Sequence, residues 1–230
     1  MKKVAILQSN YIPWKGYFDI IRSVDEFVLY DDMQYTKNDW RNRNKIKTRD
    51  GLAWLTIPVR VESLHQTIRE TKISNPVWHK QHWKTLAQNY AKAAHFKEYK
   101  DVFEELYLTA TEEYLSEINR KFLVAINAML GITTIIRCSS EFSLAPGKSE
   151  RLLELCQKLG ATTYLSGPAA SDYLEVPIFT AAGIEVEWMD YSGYPEYTQL
   201  FPPFEHGVSI VDLLFNEGAN AINFMKRIER

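Results

Sequence analysis

The sequence predicts an α/β fold: a mainly parallel, Rossmann-like sheet carrying an all-helical insertion. Three observations carry that expectation. Val4, Ala5, Ile6 and Leu7 form a short apolar run without alternation, as in strands buried on both faces. After an intervening helix, a second such run ends in Asp31-Asp32, giving a β-α-β opening. Strand and helix patterns alternate again beyond residue 132, whereas residues 75 to 131 read as helices alone. The expected organisation is an α/β core of residues 1–74 and 132–230 with the insertion at 75–131.

Lys15 to Arg22 is read as the first helix, with Phe18 and Ile21 inward; Pro13 sets the preceding turn, and Gly16 allows close backbone approach. Glu26 to Tyr30 is the second strand. Residues 32 to 50 are too long and polar for a plain connector, and loops of that length are usually functional or disordered. Leu52–Ile57 and Thr67–Ile73 read as strands. Asn75-Pro76 signals a helix start, running to about Tyr90. Helices near Lys100–Tyr107 and Thr111–Leu130 follow, the last with a core stripe of Leu115, Ile118, Phe122, Ala125, Ile126 and Met129. Strands at Thr133–Arg137, Thr162–Leu165 and Ile184–Trp188 alternate with helices at Lys148–Leu159 and Ala170–Leu174.

The 230 residues, 46% of them apolar, suffice for a sizeable core. A formal charge of −2, from 27 basic and 29 acidic residues, gives no reason to expect nucleic acid or an anionic membrane as partner. No run approaches the ~18 apolar residues that would span a bilayer, and Gln8, Asn10, Lys15 and Asp19 interrupt any signal peptide, so a cytoplasmic chain is expected. In that compartment Cys138 and Cys156 read as buried thiols.

Five groups could carry chemistry. In an open α/β sheet, ligands gather outside the carboxyl ends of strands, which points to Gln8, Asn10, Tyr11, Trp14 and Lys15 after the first strand. Lys15 and a helix N-terminus suit a phosphate. Asp32 and Gln34 follow the second strand; a carboxylate there could bind Mg²⁺, orient an amine or hold a sugar hydroxyl, while one of Asp31 and Asp32 caps the turn. Arg41, Arg43, Lys45 and Lys47, interleaved with Asn44, suit a diphosphate, or else a solvated loop. His82 is a general-base candidate or a packed helix histidine; no further ligand at metal spacing accompanies His79 and His82, so no metal is expected. Ser166-Gly167 ends a later strand before a helix and exposes amides to an anion. Ser209-Ile-Val-Asp212 reads as a structural capping box.

The pattern Gln8-Ser-Asn-Tyr11-Ile-Pro13-Trp14-Lys-Gly16-Tyr-Phe18 resembles the opening signature of the WbqC-like proteins, encoded among genes for O-antigen and other surface polysaccharides. The likeness continues through Asp31-Asp32-Met-Gln34-Tyr35, Trp40 to Ile46, Trp78 to His82, Tyr164 to Gly167 and Ser209 to Asn216. It implies a role in making or modifying glycan precursors, including lipopolysaccharide. More loosely, Trp14-Lys15-Gly16-Tyr17 occupies the place of the His-x-Gly-His turn of nucleotidyltransferases, and Phe27 to Tyr35 is similar to the second strand of pantothenate synthetases, but both histidines are missing.

The expected function is a transferase forming an amide on a nucleotide-linked amino sugar, from a small acyl or amino-acid donor such as glycine. His82, Asp32 and Lys15 would be catalytic. Gln8, Asn10, Tyr11, Trp14, Gln34, Arg43, Asn44, Lys45, Ser166 and Gly167 would bind substrate. ATP and Mg²⁺ would serve only if a carboxylate is adenylated. Whether the chain forms a homo-oligomer stays open, and the rival reading is a noncatalytic scaffold of polysaccharide assembly.

Overall fold

The computed structural model describes residues 1–226. Its centre is a five-stranded, wholly parallel sheet. The order of elements is β1 (Lys3–Leu7), α1 (Lys15–Arg22), β2 (Glu26–Leu29), β3 (Arg43–Thr48), β4 (Gly51–Thr56), β5 (Val59–Arg60), β6 (Lys72–Ile73), α2 (Trp78–Tyr90), α3 (Phe96–Leu108), α4 (Leu115–Met129), β7 (Ile135–Cys138), α5 (Ser149–Lys158), β8 (Thr163–Ser166), α6 (Val176–Ala181), β9 (Glu185–Trp188) and α7 (Ile210–Glu217). The central sheet runs β7-β2-β1-β8-β9. Numbered by their sequence within that sheet, the strands stand in the Rossmann order 3-2-1-4-5, with the topological switch between β1 and β8.

Alternate residues of each strand feed two separate cores. Ala5, Phe27, Leu29 and Leu165 face a large cluster with Phe18 and Ile21 of α1, Phe122 of α4 and Phe215 of α7. Val4, Ile6, Val28 and Tyr164 face a smaller one with Leu155 of α5 and Phe179 of α6. A sheet covered on both faces needs strands that are apolar throughout, which explains the unalternating Val4–Leu7 run.

Helices α2, α3 and α4 follow one another between β6 and β7 and contribute to the larger cluster: Trp78, Tyr90, Phe103, Tyr107 and Ile118 are all buried in it. Two departures from the sequence reading stand out. The basic stretch expected as a loop is half strand, because β3 pairs antiparallel with β4 and places Lys45 opposite Trp54. The expected strand at Thr67–Ile73 keeps only Lys72–Ile73; Gln66 and Thr71 close a turn by a 2.8 Å side-chain bond instead. Ser209 caps α7 as expected, accepting the Val211 N–H, but Asp212 accepts bonds from Tyr90 and Tyr197, both 2.7 Å, and works in the core. Both cysteines are free thiols.

Candidate functional site

The loop after β1 is held in an unusual backbone conformation by several partners. Ile12 has φ +36°, a left-handed conformation that a β-branched side chain adopts only under constraint. The constraint comes from Asn44, whose Nδ2 donates to the carbonyls of Tyr11 (3.2 Å) and Ile12 (3.0 Å). Tyr11 N–H donates to Trp40 O at 3.1 Å, and Ile210 N–H donates to Pro13 O at 2.9 Å. Strain held by several partners marks a position where the chain must present something at a cost. Gly16 has a related role, since a Cβ there would lie 2.3 Å from the Trp14 indole. The sequence reading gave that close approach to a ligand, but the tryptophan takes it.

Two cavities bear on function, one lined by this loop and one beside the ends of β2 and β7. An aromatic one of about 320 Å³ is lined by Asn10, Pro13, Trp14, Trp40, Asn44, His206 and Gly207. Its indoles are held in place: Trp14 packs against Tyr191 and Tyr194, with centroids 5.3 and 5.5 Å away, and Trp40 against Trp54 at 5.5 Å. Trp40 also leads outward to a cationic face, where the Arg43 guanidinium lies 4.1 Å from the Trp54 ring centre and the Lys45 ammonium 5.2 Å. The second cavity, about 510 Å³, opens at the carboxyl ends of β2 and β7 and is ionic: Asp31, Arg69, Glu70, Glu117 and Arg120 line it with Leu29, Tyr114, Cys138 and Ser139. Asp31, on the wall of the ionic cavity, accepts the Ser9 N–H of the β1 loop at 2.8 Å, and Arg41 donates to Asn10 Oδ1 in the aromatic one.

Asn10, Trp14 and Asn44 therefore come together as expected residues of one cavity, with Lys45 on its outer approach. The rest divide. Tyr11 is fully buried, and its hydroxyl sits 2.7 Å from that of Tyr107 and 2.9 Å from His82 Nδ1. His82 Nε2 is 3.2 Å from the Thr56 carbonyl. A carbonyl only accepts, so Nε2 carries the proton, Nδ1 accepts from Tyr11, and the Tyr11 oxygen accepts from Tyr107. Burial lowers the His82 pKa to about 4. Both ring nitrogens are thus committed inside the core, and His82 has no path to a substrate as general base.

Lys15 is also turned away. It is 3% exposed, donates to Pro195 O at 3.0 Å and lies 5.0 and 5.3 Å from the ring centres of Tyr194 and Tyr197. Burial lowers its pKa to about 8, and it faces the 190–205 segment rather than a ligand at the start of α1. Asp31, rather than Asp32, lines the ionic cavity, because Asp32 turns to Ser139 Oγ (2.6 Å) and Arg69 Nε (3.3 Å). Gln34 is exposed and donates to Leu64 O. Gln8 meets α1 through its carbonyl, which accepts from Tyr17 Oη at 2.8 Å. The Arg43 guanidinium is partly spent on the Asn38 carbonyl. Ser166 and Gly167 leave the same end of the sheet as Gln8, yet Ser166 is buried and neither residue lines these two cavities.

Among the described residues, no group of three or more His, Cys, Asp or Glu is placed to hold a metal ion. Also among them, no helix is long and apolar enough to cross a membrane. Sequence reasoning missed His206 and Arg120. A signal for the first was present: residues 189–208 lack regular structure yet carry Tyr191, Tyr194, Tyr197, Phe201 and Phe204, too many aromatics for a plain connector. Nothing in the pattern of α4 set Arg120 apart.

The signature residues of the β1 loop are those that build its strained turn, and the model of the WbqC-like protein family matches residues 8–224. The chain belongs to the WbqC-like family. Among curated relatives, this WbqC-like chain is 54% identical over 227 residues to the uncharacterized protein Rv1507c of Mycobacterium tuberculosis, covering 98% of each. No solved structure matches it.

Proposed function

We propose that this protein is a transferase of surface-glycan precursor synthesis, forming an amide on a nucleotide-linked amino sugar. The observation that carries the reading is the aromatic cavity beside the strained β1 loop, continuous through Trp40 with Lys45 and Arg43. Tryptophan faces suit a sugar or a base, and asparagine amides suit hydroxyls. Cations on the outer approach suit a diphosphate. Such a cavity lies where an open α/β sheet gathers ligands.

In amide formation the sugar amine attacks the acyl carbonyl, the C–N bond forms, the leaving group departs with its bonding pair, and the amine gives up a proton. His206 is the histidine positioned to take it, since it lines this cavity while His82 is sealed in the core. The donor would be a small acyl or aminoacyl group, glycyl among them, activated with ATP and Mg²⁺ or supplied preformed. Mass gain on a panel of nucleotide-linked amino sugars, with either kind of donor, tests this directly. Trp14→Ala is expected to abolish most of the gain; no gain with any pairing would overturn the reading.

One observation favours a scaffold instead. Trp40 and Trp54 are 41% and 43% exposed beside the exposed Leu52, an apolar patch of the kind that docks partners. If that reading holds, Trp54→Ala would abolish capture of an assembly protein while nucleotide sugars leave thermal stability unchanged.

A further inference from the structure

We propose that the ionic cavity at the ends of β2 and β7 is a binding site for a small zwitterion of the α-amino acid type. Much of the charge around it is already committed. Arg69 pairs with Asp32 at 3.3 Å, and the Glu70 carboxylate accepts both the N–H and the hydroxyl of Thr67, at 2.9 and 2.8 Å. Two exposed charges on α4 are not: among the described residues neither Glu117 nor Arg120 has an ion-pair partner. At the base stands Asp31, 6% exposed, with Oδ1 held by Ser9 N–H. The cavity thus offers one guanidinium that touches the Cys138 thiol but has no carboxylate partner among the described residues, one deep carboxylate, and a second carboxylate on the same helix.

That pattern selects among ligand classes. A phosphate or dicarboxylate would meet Arg120 but also two carboxylates, so like-charge repulsion works against it. A neutral sugar would bring no charge to Asp31, a buried carboxylate whose cost Arg41 offsets only in part. Burial already raises the Asp31 pKa, although Arg41 partly opposes the shift. A ligand with an ammonium at one end and a carboxylate at the other satisfies both sides. Its carboxylate takes the Arg120 fork, its ammonium meets Asp31 and Glu117, and its side chain rests on Leu29 and Tyr114. At about 510 Å³ the cavity has room for a side chain as well as the shared backbone atoms. The binding chemistry stands on this cavity alone; a role for the ligand as acyl donor rests on the transferase reading above.

The test uses the full chain and measures thermal stabilisation and calorimetric affinity. Probes are glycine and the common L-amino acids, with propionate and ethylamine as half-ligands and nucleotide-linked amino sugars in parallel. At least one amino acid should bind saturably, and the half-ligands should bind at least tenfold more weakly. Arg120→Gln, on an exposed helix face, should weaken amino-acid binding tenfold or more and leave nucleotide-sugar binding unchanged. Asp31→Asn should do the same, but it disturbs the Ser9 anchor, so Arg120→Gln is the deciding variant. Silence from every amino acid, equal binding of propionate, or unchanged affinity in Arg120→Gln each overturns the proposal. Amino-acid binding without any nucleotide-sugar binding would instead sink the reading of the aromatic cavity and leave this one standing.

Discussion

Two clusters built on aromatic and histidine side chains both draw on the β1 loop, and they do opposite work. One contains Tyr11, Trp78, His82 and Tyr107; the other contains Asn10, Trp14, Trp40 and His206. Their compositions are alike. What separates them is hydrogen-bond closure. In the first, Tyr107, Tyr11, His82 and the Thr56 carbonyl form one chain of donors and acceptors that closes on the protein's own groups. In the second, the indoles are braced from behind by Tyr191, Tyr194 and Trp54, while the faces between them border an open cavity. A polar aromatic cluster whose valences close on themselves is core; one whose support comes from a single side is a site.

The sharpest way to break that distinction is to remove the closed histidine. His82→Ala takes the acceptor from the buried Tyr11 hydroxyl, an orphan that costs about 1 to 3 kcal/mol, and breaks the part-buried bond to the Thr56 carbonyl. The lost imidazole volume between Trp78 and Tyr11 adds a cavity cost. A loss of about 4 kcal/mol in unfolding free energy is expected, read by denaturant titration. A loss below about 1 kcal/mol would mean that the chain is not a structural unit.

Acid should expose the same histidine. His82 titrates near 6.5 in the unfolded chain and at about 4 in the folded one, where burial disfavours its charge. As pH falls through 6.5 the unfolded state binds a proton that the folded state refuses, so stability is present above 6.5 and lost toward 4. The full effect is about 3 kcal/mol. Asp19, Asp31 and Asp212, whose carboxyls burial raises, push the other way. The clean readout is therefore the difference between wild type and His82→Gln across this window: it should shrink as pH falls. A difference independent of pH would show that His82 is charged in the folded state or open to water.

How much of this was readable in the residues differs by scale. The sheet was legible because two-sided burial forces strands such as Val4–Leu7 to be apolar throughout, and that is a local property. The place of the candidate cavity beside the β1 loop was legible too, since Pro13, Trp14 and Gly16 sit where a strand end meets a helix. The roles of individual residues were not. Trp78-His-Lys-Gln-His82 looks the same whether its histidine meets water or Tyr11, and Lys15 looks like a phosphate ligand until residues 190–205 fold over it. Arg43 and Lys45 read as a basic loop, diphosphate-binding or solvated, because their strand partners, Thr56 and Trp54, are supplied by a neighbouring segment. Each of these was decided by a tertiary contact that spacing cannot encode.

The smallest expected effect on stability is the one that bears most on function. His206 is exposed, its ring standing edge-on to Phe204 at 4.6 Å, and it bonds to no core group that its loss would orphan. The loop around it is anchored without it: Glu205 accepts the Gly207 N–H at 2.8 Å, and Ser209 N–H donates to the Lys45 carbonyl at 2.9 Å. His206→Gln should therefore leave unfolding free energy within about 0.5 kcal/mol of wild type. If His206 receives the proton of the attacking amine, turnover should fall by about 10²- to 10⁴-fold while the apparent affinity for the nucleotide sugar stays within a few-fold. The acid limb of the turnover profile should flatten in the variant, because the base that gates the reaction is gone. Retained turnover with an unchanged acid limb would remove His206 from the chemistry. A large loss of stability would show the opposite of what its open position implies, that it belongs with His82 among the groups the fold needs.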